Sequence, residues 1–174
     1  GMGQTDISFQ NELQRSIDRG IESLKKSQNP EGFWTNADHP AVTALVLVAY
    51  HGNPKKPKET PDWVNKGHDF MLKHVQSDGS IYVPEKGLAN YNTALCVMAM
   101  LASKDAKYNP TIIKARKYLI GQQWDLGVKG KSDHPLDGGV GYGNRFPHGD
   151  LNNTLMALEA IYYSKHLVKD SPEA

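Results

Sequence analysis

The chain has 174 residues, 39% of them hydrophobic and 22% charged, which permits one packed domain and excludes general disorder. Twenty Lys and Arg residues against nineteen Asp and Glu residues leave a net charge of +1, so nucleic acid, which selects a concentrated basic surface, is not a predicted partner. Cys96 is the one cysteine, and this excludes an internal disulfide and a multi-cysteine zinc site.

The apolar segments of the chain are too short to cross a membrane. The longest covers about ten residues, 41–50, whereas a transmembrane helix needs about twenty. The amino-terminal segment, residues 1–20, is polar and lacks the apolar part of a secretory signal. A leader removed ahead of Gly1 would leave the same start, so the sequence predicts no compartment.

Two helices of different character are predicted at the start of the chain. The first is amphipathic, because Leu13, Ile17, Ile21 and Leu24 recur at helical spacing and polar residues lie between them. The second, residues 41–50, is apolar almost all round, as in a helix that is buried on several sides.

The same alternation follows twice more. Thr60-Pro61-Asp62 predicts the start of an amphipathic helix, and the apolar segment 93–101 comes after it. Asn109-Pro110 predicts the start of the next amphipathic helix, and the apolar segment 155–163 comes after that. The alanine-rich composition of these apolar segments favours helix over strand.

These pairs of helices form a repeat. The amphipathic helices end near Gln28, Gln76 and Gln123, and a glycine-containing turn with an aromatic residue follows each. Trp34, Tyr82 and Tyr142 are the corresponding aromatic residues of the three turns. A threonine then opens each apolar helix: Thr43, Thr93 and Thr154. The sequence therefore predicts an all-α fold of three repeated α-hairpins, at about residues 10–53, 60–103 and 109–166, within a single domain over residues 1–174.

The first unit reads Arg19-Gly20-x-x-x-Leu24-x-x-x-Gln28-x-x-x-Gly32-x-Trp34. It resembles the QW motif of the squalene and oxidosqualene cyclases, whose relatives include the β subunits of protein prenyltransferases. Looser versions follow in the other units, so the resemblance covers about residues 15–165. It implies half of an α/α toroid, with outer helices that end in glutamine and inner helices that start near threonine. The motif residues themselves are predicted to be structural, since a glutamine can bond free backbone groups at a helix end.

The residues that carry out the chemistry of those relatives are only partly present in this sequence. Squalene-type cyclases protonate an alkene with an aspartate of a D-x-D-D-T-A sequence, but the matching stretch here is Asp150-Leu151-Asn152-Asn153-Thr154. Because an amide cannot supply that proton, cyclisation of squalene is not predicted, and catalysis stays an open question. The zinc site of the prenyltransferases has no counterpart either, since Cys96 lies within an apolar helix and the histidines lack ligand spacing. No metal and no cofactor is predicted.

Candidate ligand-binding residues precede the recurrent threonines or lie in the glycine-rich loop ahead of the third apolar helix. They are His39, Tyr91, Asn92, Tyr142, His148, Asp150 and Asn153. Because the repeat would place the starts of the apolar helices equivalently, five of these residues are expected to meet at one end of the array: His39, Tyr91, Asn92, Asp150 and Asn153. The structural alternative for Asn92, Asp150 and Asn153 is capping of helix N-termini.

Two functions are compatible with these features. The first is binding of an apolar or isoprenoid-like ligand on the concave face of the array. The second is a non-catalytic scaffold or protein-binding repeat module. Because three hairpins would leave apolar surface on an open half-ring, the sequence also predicts either a carboxyl-terminal half in a longer protein or a homodimer partner.

Overall fold

The computed structural model describes residues 2–123, 129–132, 137–141, 143 and 151–169. Six α-helices lie in these ranges: α1 (Met2–Ser27), α2 (Pro40–His51), α3 (Asp62–Leu72), α4 (Ala89–Ser103), α5 (Asn109–Gly121) and α6 (Leu151–Ser164). Two short 3-10 helices, η1 (Ala106–Tyr108) and η2 (Lys165–Leu167), follow α4 and α6. The described part is therefore all-α, as predicted, and it contains no strand.

A central layer consists of α2, α4 and α6, with α4 packed between the other two. The surface of α4 suits this position, because Ala89, Ala94 and Ala99 are almost completely buried and their small side chains let neighbouring helices approach closely. Cys96 is buried in the same helix, as predicted, and burial raises the pKa of its thiol.

The remaining helices pack outside the central layer. α3 lies against α2, and α5 lies against both α4 and α6. α5 runs antiparallel to α4, since the hydroxyl of Tyr118 near its end donates to Asn90 Oδ1 near the start of α4, at 2.9 Å. The buried Arg116 of α5 donates to the carbonyl of Ile161 and, at 3.1 Å, to Ser164 Oγ, so a guanidinium satisfies the carboxyl-terminal end of α6.

α1 is attached to the molecule through its carboxyl-terminal half. There the indole of Trp34 donates to the carbonyl of Leu24 at 2.8 Å, and Ile21 packs against the core. Farther towards the amino terminus, Ile7 and Phe9 are 59% and 68% exposed. The amphipathic pattern thus predicts the helix correctly, but only part of its apolar stripe is covered.

One hydrogen bond recurs between each threonine of the predicted repeat and the backbone ahead of it. It runs from Trp34 N–H to Thr43 Oγ1 (3.2 Å), from Ile81 N–H to Thr93 Oγ1 (2.9 Å) and from Val140 N–H to Thr154 Oγ1 (2.9 Å). The threonines do not open their helices, because α2 and α4 begin three and four residues earlier, at Pro40 and Ala89. Their hydroxyls instead bind the preceding turn to the side of the helix.

The turn residues that occupy equivalent positions in these three bonds are not the ones that the sequence pattern predicts. The prediction paired Trp34 with Tyr82, as the aromatic residues of their turns, whereas the hydrogen bonds pair Trp34 with Ile81 and Val140. All three of these side chains are buried. The position requires an apolar side chain and a free backbone N–H, and aromatic character is not required.

The predicted structural role of the glutamines holds for the first two of them. The side-chain amide of Gln28 donates to the carbonyls of Gly32 (2.9 Å) and Trp63 (2.8 Å), and that of Gln76 donates to those of His74 (2.9 Å) and Tyr82 (3.1 Å). Each glutamine therefore satisfies two backbone carbonyl groups. The bond from Gln28 to Trp63 also joins the first turn to α3.

Glycines bring the turns against the next outer helix. Gly32 and Gly79 adopt φ angles of +104° and +91°, which favour glycine over any other residue. A Cβ at Gly79 would lie 2.5 Å from the carbonyl oxygen of Lys114 in α5, and one at Gly32 would collide in the same way with Lys66 of α3. Each turn therefore contacts the backbone of the following helix directly.

Replacing Thr93 by valine is expected to lower the free energy of unfolding by about 1–3 kcal/mol. The change keeps the side-chain volume but leaves the buried N–H of Ile81 without its acceptor. Urea unfolding followed by circular dichroism measures the loss. The control is Thr60→Val, at an exposed position, where a change within about 0.5 kcal/mol is expected. Equal stabilities of the two variants would contradict the role given to the hydroxyl.

Candidate functional site

The starts of α2 and α4 meet, and they bring two of the predicted site residues together. Asn92 is completely buried, and its Oδ1 accepts a hydrogen bond from the N–H of Ala41 at 2.9 Å. Its Nδ2 donates to the carbonyl of Leu88 at 2.9 Å and lies 3.5 Å from His39 Nδ1. Asn92 therefore caps a helix, as the structural alternative predicted, but the helix it caps is α2 rather than its own.

Of the other predicted site residues, the structure describes only Tyr91 and Asn153. Tyr91 is partly buried against the core, and Asn153 is 2% exposed near the start of α6. Tyr142, His148 and Asp150 lie outside the described residues. The predicted meeting at one end of the array is thus seen for His39 and Asn92, and it stays a prediction for the rest.

Asn90 is a polar residue of this region that the sequence analysis did not include among the candidates. It is 3% exposed, its Nδ2 donates to the carbonyl of Gly141 at 2.9 Å, and its Oδ1 accepts the bond from Tyr118. Burial, with smaller contributions from Asp78 and Tyr82, raises the pKa of the Tyr118 hydroxyl, which keeps it a donor. The signal that could have indicated Asn90 is a second asparagine in an otherwise apolar helix.

The amide groups of Asn90 and Asn92 are occupied by structural hydrogen bonds, and neither is placed to act on a substrate. Each joins the start of α4 to another part of the chain. The functional space lies elsewhere.

A cavity of about 640 Å³ opens at the other end of the central layer, near the carboxyl ends of α4 and α6 and the start of α5. Its walls are mainly apolar, and they include Val48, Met98, Leu101, Ala102, Ile112, Tyr163 and Leu167. Four polar residues complete the lining: Lys104, Asp105, Asn109 and His166. A volume of this size is within the range of small-molecule sites, about 300–1,000 Å³.

The polar part of the cavity lining is already partly bonded. Asp105 accepts hydrogen bonds from the backbone N–H of Lys107 at 3.0 Å, and its carboxylate forms an ion pair with the Lys107 ammonium at 3.4 Å. The backbone bond, followed by the side-chain contacts, lowers the pKa of the Asp105 carboxyl. His166 lies at the end of the layer, where its Nδ1 donates to the carbonyl of Tyr163 at 2.9 Å.

Behind this cavity lies a pair of buried histidines. His51, the last residue of α2, and His68 of α3 are 7% and 1% exposed, and their Nε2 atoms are 2.8 Å apart. The ring of His68 also stacks on that of Tyr108, with centroids 4.9 Å apart and 23° between the planes. Burial, followed by the charge of Lys56, lowers the pKa of His51 to about 4. Burial, followed by His51 and Lys107, lowers that of His68 to about 3.

The histidine pair and the cavity were both missed by the sequence analysis. His51 and His68 are 17 residues apart and lie on different helices, so no spacing rule connects them. The cavity arises from the ends of several elements, each of which has only an ordinary apolar pattern.

Within the described residues, no group of three or more His, Cys, Asp or Glu side chains is placed to hold a metal ion. The same part of the chain has no helix that combines the length and the apolar character of a membrane span. Comparisons of the chain with family models, with curated proteins and with solved structures found no match in any of the three.

Replacing Asn92 by alanine is expected to lower the free energy of unfolding by about 1–3 kcal/mol, because the N–H of the buried Ala41 loses its acceptor. The matched control is Asn65→Ala on α3, whose side chain makes one long bond of 3.4 Å to Thr60 and should change stability by about 0.5 kcal/mol or less. Thermal unfolding compares the two. A stable Asn92→Ala variant would contradict the capping role.

Acid is expected to destabilise the fold through the histidine pair. Their pKa values, about 4 and about 3, lie below the ordinary value of 6.5, so the unfolded chain binds protons first as pH falls. The free energy of unfolding should therefore decrease below pH 6.5 by up to about 1.4 kcal/mol per pH unit for each histidine.

Urea unfolding at pH 7.5, 6.5 and 5.5 measures this decrease. In His68→Phe the decrease should be about half as steep, because one of the two titrating rings is gone. Identical slopes in the two proteins would show that other groups are responsible.

Proposed function

We propose that this chain is a helical-repeat protein that binds an apolar ligand in the cavity at the carboxyl ends of α4 and α6. One observation carries the proposal: a space of about 640 Å³ with mainly apolar walls, which is within the range of small-molecule sites. Covering apolar surface of this kind with a ligand is favourable, since each Å² removed from water contributes about 25 cal/mol of stabilising free energy.

The lining also indicates the general character of the ligand. Met98 and Leu101 supply flexible or branched apolar contacts, whereas Lys104, Asn109 and His166 supply polar ones. An elongated apolar molecule with one polar end matches this distribution. The sequence resemblance to terpenoid cyclases and prenyltransferases would make an isoprenoid-like compound one such ligand, and the family assignment and the toroid remain part of the proposal.

Catalysis is not part of this proposal. Asn152 and Asn153 stand where the cyclase motif has acids, and the cavity lies at the opposite end of the central layer from the predicted site residues His39 and Asn92. Binding alone accounts for the described features of the cavity.

A protein-binding module is the second candidate, and one observation favours it. Leu155, Leu158 and Tyr162 are 55%, 45% and 71% exposed, and their spacing of three and four residues places them on one face of α6. Such a row of apolar side chains is a usual contact surface between helices. Lipid extraction of the purified protein followed by mass spectrometry separates the candidates, because a co-purifying apolar compound supports the first.

Filling the cavity is expected to weaken ligand binding at least tenfold. In Ala102→Trp an indole would occupy space that the cavity now leaves open. Fluorescence titration with the neutral apolar probe N-phenyl-1-naphthylamine measures the affinity. The matched control is Ala49→Trp, at an exposed position of α2 that does not line the cavity, and its affinity should stay within twofold of the unchanged protein. Equal affinities of the two variants would rule out this cavity as the site.

A further inference from the structure

The 3-10 helix η1 separates the cavity from the histidine pair. On one side, Asp105, Ala106 and Asn109 line the cavity. On the other side, the ring of Tyr108 stacks on His68 and is 3% exposed. A short helix of three residues thus forms a wall of the cavity, and its position depends on what lies behind it.

The histidine pair behind this wall has room for only one proton between its rings. With 2.8 Å between the two Nε2 atoms, one nitrogen donates and the other accepts. The first added proton leaves this bond in place but puts a charge among buried rings. A second added proton occupies the Nε2 nitrogen that accepts this bond, so that two N–H groups then face each other. Within the described part of the chain, His68 Nδ1 is buried without a hydrogen-bond partner, so no partner there stabilises either change.

The charged groups around the pair also disfavour protonation. Lys56, from the α2–α3 loop, donates to the carbonyl of His51 at 2.9 Å, and Lys107 of η1 lies near His68. Asp105 favours a charge on His68, but it is already paired with Lys107. Tyr50 and Tyr108, which adjoin the two rings, have raised pKa values because they are buried, so they stay neutral.

We propose that protonation of the His51–His68 pair displaces η1 from His68 and opens the cavity wall, so that the protein releases its ligand in mildly acidic solution. The inference rests on the proposed function, because it concerns regulation of the same cavity. The moving part is η1 together with the residues on either side of it, and the other helices keep their places.

The size of the effect follows from the exposure of the two rings. In the open form they meet water and regain an ordinary affinity for protons, whereas the closed form excludes protons. Each pH unit below 6.5 therefore favours the open form by up to about tenfold for each histidine, and up to about 100-fold for the pair. We expect the affinity for an apolar probe to fall at least tenfold between pH 7.5 and pH 5.5.

The test is titration of the full chain with N-phenyl-1-naphthylamine at both pH values, with helix content followed by circular dichroism. In His68→Phe the ring stack on Tyr108 can persist while the nitrogens of His68 are lost, and the change in affinity should shrink to about threefold, because His51 still binds a proton. His74→Phe is the matched control, since His74 is another partly buried histidine with a lowered pKa but does not line the cavity or η1. It should keep the full pH dependence.

Two outcomes would overturn the inference. One is an equal loss of affinity in His68→Phe, which would place the titration elsewhere in the chain. The other is a loss of helix content that accompanies the loss of binding, because acid would then unfold the chain as a whole.

A second measurement, which needs no ligand, tests the opening of η1 independently of ligand binding in the cavity. Hydrogen exchange of residues 104–112, corrected for intrinsic rates, should become at least tenfold less protected from pH 7.5 to pH 5.5 in the unchanged protein and about threefold less protected in His68→Phe, where His51 still titrates. If the probe fails to bind at pH 7.5, the proposed function is wrong, and the exchange data alone decide on the opening of η1. Equal exchange in both proteins would reject that opening.

Discussion

A threonine hydroxyl inside a buried helix holds the turn that leads into that helix, and the arrangement of the helical pairs depends on this bond. Thr93 illustrates it fully: its Oγ1 accepts from Ile81 N–H at 2.9 Å and donates to the carbonyl of Ala89 at 2.6 Å. Both partners are buried, so neither backbone group could turn to water instead. Once the turn is bound to the helix in this way, its glycine is in position to contact the outer helix that follows.

The two ends of the central layer meet different physical demands. At the amino ends, backbone N–H groups need acceptors, and the side chain of Asn92 satisfies one of them across the helix pair. At the carboxyl end of α6, Arg116 donates to the carbonyl of Ile161 and to the hydroxyl of Ser164. Polar side chains at both ends therefore serve the backbone. The space available for a ligand is left where mainly apolar helix ends diverge.

The sequence predicted those features that depend on local pattern. The spacing of Leu13, Ile17 and Ile21 predicts α1, and the apolar segment around Cys96 predicts a buried helix, and both are confirmed. The starts of the helices were predicted less accurately. α2 begins at Pro40 and not at Thr43, because the fixed φ of proline suits the first turn of a helix.

Features that depend on contacts between distant residues were not predictable. The equivalence of Trp34 with Ile81 is defined by hydrogen bonds, and the two side chains have little in common except that they are apolar. The contact of His51 with His68 depends on how α3 packs against α2, which a single sequence does not reveal. The capping of α2 by Asn92 likewise depends on how α4 packs against α2. Helix capping was the predicted structural alternative for Asn92, but the helix that it caps was not predicted.

The capping of α2 by Asn92 also has a consequence for the order in which the chain acquires its structure. Asn92 is 51 residues downstream of Ala41, so a ribosome has completed α2 well before it adds the residue that satisfies the start of that helix. At about 5–20 residues per second, this interval is on the order of seconds, which is long compared with helix formation. During synthesis the N–H of Ala41 therefore lacks this acceptor until Asn92 has been added and α4 packs beside α2.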